Sequence, residues 1–526
     1  MVNLSRRVYG CHFLNYGEYA LWKSPNFSTL TAVHASCDAR SYTTLKTKPK
    51  SLPVPKFDRL TAVIYLWKTQ RLSIILFAML MMPQGVNAQS NDADNVKLVF
   101  DETLRHGKSY EWLRHLTTQI GHRLSGSPGA AEAVEWAASE LRNVADTVWL
   151  QPVMVPHWVR GLEEDAYIKG ANKKKNIPVN ICALGGSVGT GTGGLLAKVV
   201  EVKSLEELSQ LGAHRIKGNI VFFNRPMDVT EIQAFRAYAD AVDQRAMGPS
   251  EAARHGAVGV VVRSMGMNTE DYPHTGALYY APDASKIPAV AISTRHADML
   301  SQALKEDNNL QFYFETHCQT LPDVQSHNVI AEIKGSEYPE QIILVSGHLD
   351  SWDLGDGAHD DGAGCVQAME VLRIYRGLGN KPQRTVRVVL FMNEENGVHG
   401  GRAYATDVEQ KKEEHIAAIE ADEGGFTPRG FSMTASTEFR NKVIGWKPVL
   451  EPYGLTDFTR EGGGADIGPL LKLNIPLIGY MPDSQRYFDY HHTREDTFDK
   501  VSKRELDMGA GCMAALIALI DKYGTH

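Results

Sequence analysis

The chain is short of cysteine, with six in 526 residues, and no two of them stand in the Cys-x-x-Cys spacing of a structural zinc site or a redox motif. Four of the six, Cys182, Cys318, Cys365 and Cys512, follow residue 88, far apart and mostly in apolar surroundings. Buried free thiols are therefore expected in place of a disulfide framework. Also missing is any Gly-Lys-Ser/Thr after the glycine-rich stretch 185–194. That speaks against a phosphate-binding loop and leaves the stretch as a domain-boundary loop. Beyond residue 88 positive charge runs short as well. The chain carries −7 overall, but residues 1–88 hold eleven Lys/Arg against three Asp/Glu, a local +8, so the remainder carries −15. An acidic balance of that size is unfavourable for nucleic acid and for anionic membrane surfaces.

Lys68 and Arg71 precede the apolar run Leu72 to Met82, and Val86-Asn-Ala88 follows with small residues where a signal peptidase cuts. The run is too short for an ordinary spanning helix, and no cysteine follows to carry a lipid. We expect cleavage after Ala88, a secreted or periplasmic mature protein, and no membrane association thereafter. Residues 1 to about 60 show no clear periodicity.

The length allows two or three domains. Helical spacing covers Asn95 to Arg105, Ser109 to Ile120 and Ala130 to Val144, and strands are expected at Val148 to Pro156 and Ile177 to Leu184. Between about 194 and 320 the texture changes to short strands alternating with helical pieces and few residues suited to chemistry, which reads as an inserted domain. The resulting division is a leader and signal peptide (1–88), a first part of the main domain (89–193), the insert (194–320) and a second part (321–526).

The stretch from Val345 to Gly364 packs histidine and five aspartates between a strand and a helix. Ile342 to Val345 suits a buried parallel strand, so His348 falls just past a strand end; Gly362 to Tyr375 has a helical apolar face, so Asp360 and Asp361 fall at a helix N-terminus. The same pattern recurs. Glu394-Glu395 follow the strand Thr385 to Met392, Asp422 follows Ile416 to Ile419, and His491-His492 follow Ile475 to Tyr480. Each motif alone has an ordinary reading: a solvated pair, a helix cap, loop residues. Together they bring four strand ends to one edge of an open α/β sheet, where ligands bind, and their residue types suit a metal.

These residues resemble the co-catalytic di-zinc exopeptidases. The likeness rests on SGHLDSWDLGDGAHDDGAG, on NEENG after a strand, on Glu-Ala-Asp beyond the next strand and on HHTREDT, and extends to Pro156-His-Trp158, Tyr272-Pro-His-Thr-Gly276 and Gly462-Gly-Gly-Ala-Asp466. It implies a zinc-exopeptidase α/β fold, a mixed sheet flanked by helices, with a protease-associated domain as the insert. It also implies two zinc ions held by His348, Asp360, Glu395, Asp422 and His492, with Asp360 bridging, Glu394 as general base, a peptide substrate and a homodimer. His492 is preferred to His491 because His-Thr-x-x-Asp is the family pattern. Asp350, two residues after His348, is placed to orient that imidazole, and Asp496 to orient His492; His359 and Asp361 match no ligand. Two other readings are a glutaminyl-cyclase-like acyltransferase with one zinc and a catalytically silent peptide-binding relative. The full ligand set speaks against both, and the insert against the first.

Overall fold

The computed structural model describes residues 85–525 other than 162, 170–174 and 380; the expected leader lies outside the described residues up to residue 84, its apolar run included, and its last four residues open the helix Gly85–His106. In chain order the strands are β1 (Thr147–Val159), β2 (Asp165–Ile168), β3 (Ile177–Pro178), β4 (Ile181–Ala183), β5 (Leu195–Val202), β6 (Ile220–Phe223), β7 (Gly259–Arg263) and β8 (Ala289–Ile292). There follow β9 (Gln311–Glu315), β10 (Gln319–Ile333), β11 (Tyr338–His348), β12 (Arg384–Phe391), β13 (Glu414–Glu420), β14 (Pro428–Thr434) and β15 (Leu477–Pro482). They form a seven-stranded sheet in the order β1-β10-β12-β11-β13-β15-β14 and an eight-stranded sheet in the order β3-β2-β9-β5-β6-β7-β8-β4.

In the first sheet β11 pairs in parallel with β12 and β13, and β13 with β15, while β1–β10, β10–β12 and β14–β15 are antiparallel. The central strands are apolar almost throughout because both faces are covered. Ile343, Val345, Val386, Val388 and Leu390 face the helices Pro128–Leu141, Ala363–Gly377 and Lys503–Tyr523. On the other face Leu344, Val389, Phe391 and Ala418 meet Tyr404 and Ala405 of the helix His399–Lys411. Each such large side chain contributes about 1.5–3 kcal/mol by leaving water. The site strands are thus fixed from both sides, and their carboxyl ends are rigid mounts. The four cysteines expected as free thiols are buried and unbonded.

β1 and β10 are hydrogen-bonded neighbours out to the pair Val159 and Gln319. The chain therefore leaves the first sheet and returns to it at one place, and what lies between builds the second sheet. This sheet begins at Asp165, earlier than the expected boundary at 194, because β2, β3 and β4 belong to it. The glycine-rich stretch taken for the boundary is a connection within this unit, where Gly191, Gly193 and Gly194 adopt positive φ. The strand expected over Ile177 to Leu184 is two strands broken at Val179-Asn180.

Candidate metal centre

The candidate residues gather at the carboxyl ends of β11, β12 and β13, where open α/β sheets bind ligands. His348 is the last residue of β11 and not a loop residue beyond it. Its Nε2 lies 3.2 Å from Asp422 Oδ1 and 3.3 Å from Asp360 Oδ1. The other oxygen of Asp360 lies 3.3 Å from Nε2 of His492, and that nitrogen is 3.1 Å from Glu395 Oε2. One carboxylate thus spans two imidazoles, each flanked by a further carboxylate. His491 also approaches: its Nε2 is 3.8 Å from Asp360 Oδ2, and its ring stacks on His492 with centroids 3.5 Å apart. It has one carboxylate contact where His492 has two, and its Nδ1 has no hydrogen-bond partner.

The expected placing of Asp360 at a helix N-terminus needs correction. The helix starts at Ala363, and Asp360 sits in the turn before it with φ −122° and ψ 88°. Asp361 is the residue that meets the helix start, accepting from Gly364 N–H at 2.9 Å while its other oxygen takes the His348 N–H at 3.0 Å. It fixes the main chain of a candidate ligand without being one.

The groups behind the candidate ligands also differ from expectation. His348 Nδ1–H donates to the main-chain carbonyl of Asp350 at 3.0 Å, whereas the Asp350 carboxylate stands 3.8 Å off. One oxygen of that carboxylate takes the N–H groups of Asn393 at 2.7 Å and Glu394 at 3.0 Å. Asp350 therefore orients the imidazole through its carbonyl and the Glu394-Glu395 loop through its side chain. Asp496 does not hold the His492 ring in the way expected; it accepts from the N–H groups of His359 at 2.7 Å and Asp360 at 3.1 Å, seating Asp360. The partner of His492 Nδ1 is the carbonyl of Thr275 at 3.3 Å, from the long connection between β7 and β8.

Three supporting residues had no role in the sequence reading. Arg123, fully buried, donates to the carbonyls of Gly121, Leu349, Asp356 and Gly357, tying down the loop after His348. Ser125 accepts from Asn393 Nδ2 at 2.8 Å. Both lie in the Arg123-Leu-Ser-Gly-Ser-Pro-Gly129 turn, and an arginine inside a short glycine-proline turn was the available signal. Thr275 lies in the Tyr272 to Gly276 motif, but a carbonyl acceptor leaves no mark on residue type. Asn393 and His492 both hold positive φ, 77° and 62°, at a cost of about 1–2 kcal/mol each for a non-glycine residue. Such conformations persist where the surroundings over-determine them.

The charges favour a cation. Burial pushes the Glu394 carboxyl up to about 8, with His348 opposing and Asp422, Asp350 and Asp360 reinforcing. Burial, with Asp360, pushes Glu395 well up, and burial raises Asp361 and Asp422. Asp360 goes the other way. Burial works against ionisation, but His348, His492 and His491 around it hold its carboxyl below the ordinary range. The cluster carries more carboxylate than its imidazoles neutralise. Asp360 Oδ2 is buried and accepts no hydrogen bond, and the imidazole-to-carboxylate separations of 3.1–3.3 Å exceed those of charge-assisted hydrogen bonds. Donor atoms of His348, Asp360 and Asp422, and of Asp360, His491 and His492, lie within 4.8 Å of one another. The donor set fits divalent metal ions, with Asp360 common to two positions.

Residues 328–517, the span that contains all of these candidates, match the description of peptidase family M28. Taken with relatives at more than 30% identity along most of their length, this shows that the chain belongs to peptidase family M28 and is a metallopeptidase. Among the relatives is carboxypeptidase Q: the chain is 34% identical to that of Bos taurus over 410 residues, 78% of this chain and 84% of the relative, and 36% identical to that of Xenopus laevis over 414 residues, 78% and 85%. The crystal structure of a peptidase M28 precursor from Shewanella amazonensis superimposes with a TM-score of 0.77 at 33% identity, covering 82% of this chain and 97% of that one.

Proposed function

We propose that the chain is a secreted or periplasmic exopeptidase that uses two zinc ions to hydrolyse dipeptides or short peptides with a free N-terminus. The observation that carries it is the Asp360 carboxylate set between two imidazoles, His348 with Asp422 on one side and His492 with Glu395 on the other. Imidazole and carboxylate donors in this proportion suit zinc. Bound zinc supplies Lewis-acid polarisation of a carbonyl and acidifies water. The rest falls to the protein. Glu394 is half-buried beside the ligands, with its main chain pinned by Asp350, and is free to take a proton from water at a carboxylate oxygen and deliver it to the leaving amine. Its neighbour Glu395 is engaged by His492 and by the Trp352 N–H at 3.2 Å. Adjacent glutamates thereby divide ligation from proton transfer.

On this reading the second sheet is the protease-associated insert, the active protein is a homodimer, and the leader is removed after Ala88. Export is supported by the basic-then-apolar run before Ala88. No helix among the described residues is long and apolar enough to cross a membrane. A free α-amino group complements the surplus of carboxylates at the site. Acetylating it removes a charge and a hydrogen-bonded partner, costing about 2–4 kcal/mol in transition-state binding, or roughly 30- to 1,000-fold in kcat/KM. The test compares one dipeptide with its N-acetyl and C-amide derivatives. Loss on acetylation with a smaller change on amidation is expected; equal rates for free and acetylated substrate, with loss only on amidation, would overturn the amino-end reading.

A further inference from the structure

Thr275 is fully buried in the connection between β7 and β8, on the second sheet's side of the molecule, and it holds a candidate ligand from the first sheet's side by both ends. Its N–H donates to the main-chain carbonyl of His492 at 2.9 Å, and its own carbonyl accepts from His492 Nδ1–H at 3.3 Å. The same carbonyl accepts from Arg245 Nη1 at 3.3 Å. Its hydroxyl donates to the Ala183 carbonyl at 3.0 Å and accepts from Arg160 Nη2 at 3.3 Å, and Arg160 is in turn paired with Asp353 at 2.6 Å.

From this geometry we infer that Thr275 is a positioning residue for His492: the second sheet is part of the metal-site machinery and not only a cover over it. The inference rests on the zinc reading above and concerns what sets the orientation of one ligand. Two hydrogen bonds of opposite sense fix both the position and the rotation of the His492 ring. By engaging Nδ1–H the Thr275 carbonyl selects the tautomer whose Nε2 lone pair faces Asp360 and Glu395. His492 needs such support because its backbone is held at φ 62°. Gly276 is where the clasp admits no side chain. Its φ is +131°, and a Cβ there would stand 2.7 Å from His492 Nδ1 and 2.3 Å from Arg245 Nη1. The tyrosine-to-glycine motif thus has a physical reason to end in glycine beside a threonine.

The experiment titrates zinc into metal-stripped full-length mature protein against a chromophoric chelator, for wild type, Gly276→Ala, Thr275→Val and Thr275→Ser, with Tm measured alongside. Gly276→Ala, whose Cβ would displace the His492 ring, should weaken one of two zinc ions by about 10- to 100-fold, the range for losing a group that orients a metal-bound histidine. Thr275→Val, which keeps both main-chain bonds and loses only the hydroxyl ties that hold them in place, should weaken the same ion by a smaller factor, and both should leave the other ion within about threefold. Thr275→Ser, which keeps the hydroxyl ties, should recover most of the affinity lost in Thr275→Val. Wild type that takes up two ions while Gly276→Ala and Thr275→Val match it overturns this inference alone. So does equal weakening of both ions in step with Tm, the signature of a merely structural role. Wild type that takes up no zinc overturns the proposed function and the inference with it.

Discussion

Removing the Asp360 carboxylate is the perturbation with the largest worked consequence. Asp360 is 5% exposed, and its two oxygens stand 3.3 Å from Nε2 of His348 and 3.3 Å from Nε2 of His492. In Asp360→Ala each half of the site loses one of its two carboxylates and keeps only Asp422 or Glu395. Truncating one partner of a buried charge pair costs binding about 2–5 kcal/mol. As a dissociation constant that is roughly 30- to 5,000-fold. Because the group is shared, the loss should fall on both ions, which distinguishes Asp360 from a ligand serving one. Competition against a chelator of known affinity, on the metal-stripped variant and wild type, reads both steps. Weakening of both confirms the bridge. A variant that binds two zinc ions with wild-type affinity, or loses only one, would refute the reasoning.

Glu394→Gln should retain zinc and lose about 100- to 10,000-fold in kcat, since the amide cannot carry the proton from water to the leaving amine; metal analysis with steady-state kinetics reads both, and loss of zinc would reassign Glu394 as a ligand. Chelation should destabilise the protein most at alkaline pH. In the metal-free fold Glu394 is raised to about 8 and Glu395 and Asp361 are raised as well. A carboxyl raised on folding contributes stability that is full below its unfolded value, about 4, and lost as pH rises through the folded value. The buried His491 and His492, depressed on folding, oppose this only below about pH 6.5. Tm of the chelated protein should therefore fall between about pH 6.5 and 8 while the zinc-loaded protein changes less; a metal-free Tm that rises over this interval contradicts the assignment.

The site was legible because its parts are local. A buried parallel strand announces itself as an apolar run, and a carboxylate or imidazole directly after it is conspicuous, so His348, Glu394, Glu395 and Asp422 could be placed from strand ends alone. His492 needed family resemblance, since His491 has the same local context. What escaped is held by the backbone. The partners of both imidazole Nδ1 atoms are main-chain carbonyls, of Asp350 and Thr275, and Thr275 lies 217 residues from His492 in sequence. Carboxylates two or four residues along the chain, Asp350 and Asp496, were plausible by type but grip N–H groups of neighbouring loops. The start of the second sheet was misplaced for a related reason: β3 and β4 are two and three residues long, too short to show a period, whereas the glycines after them look like punctuation.

The central claim is that the cluster around Asp360 holds zinc and that zinc bound there is needed for peptide hydrolysis. The most direct measurement is elemental analysis of the purified mature protein together with hydrolysis of a small panel of dipeptides, before metal stripping, after it, and after zinc is returned. The account predicts two zinc ions per chain, activity lost with them and restored as both return. Full hydrolysis by protein free of metal, or two tightly bound zinc ions in a chain that cleaves no dipeptide in the panel, would contradict it.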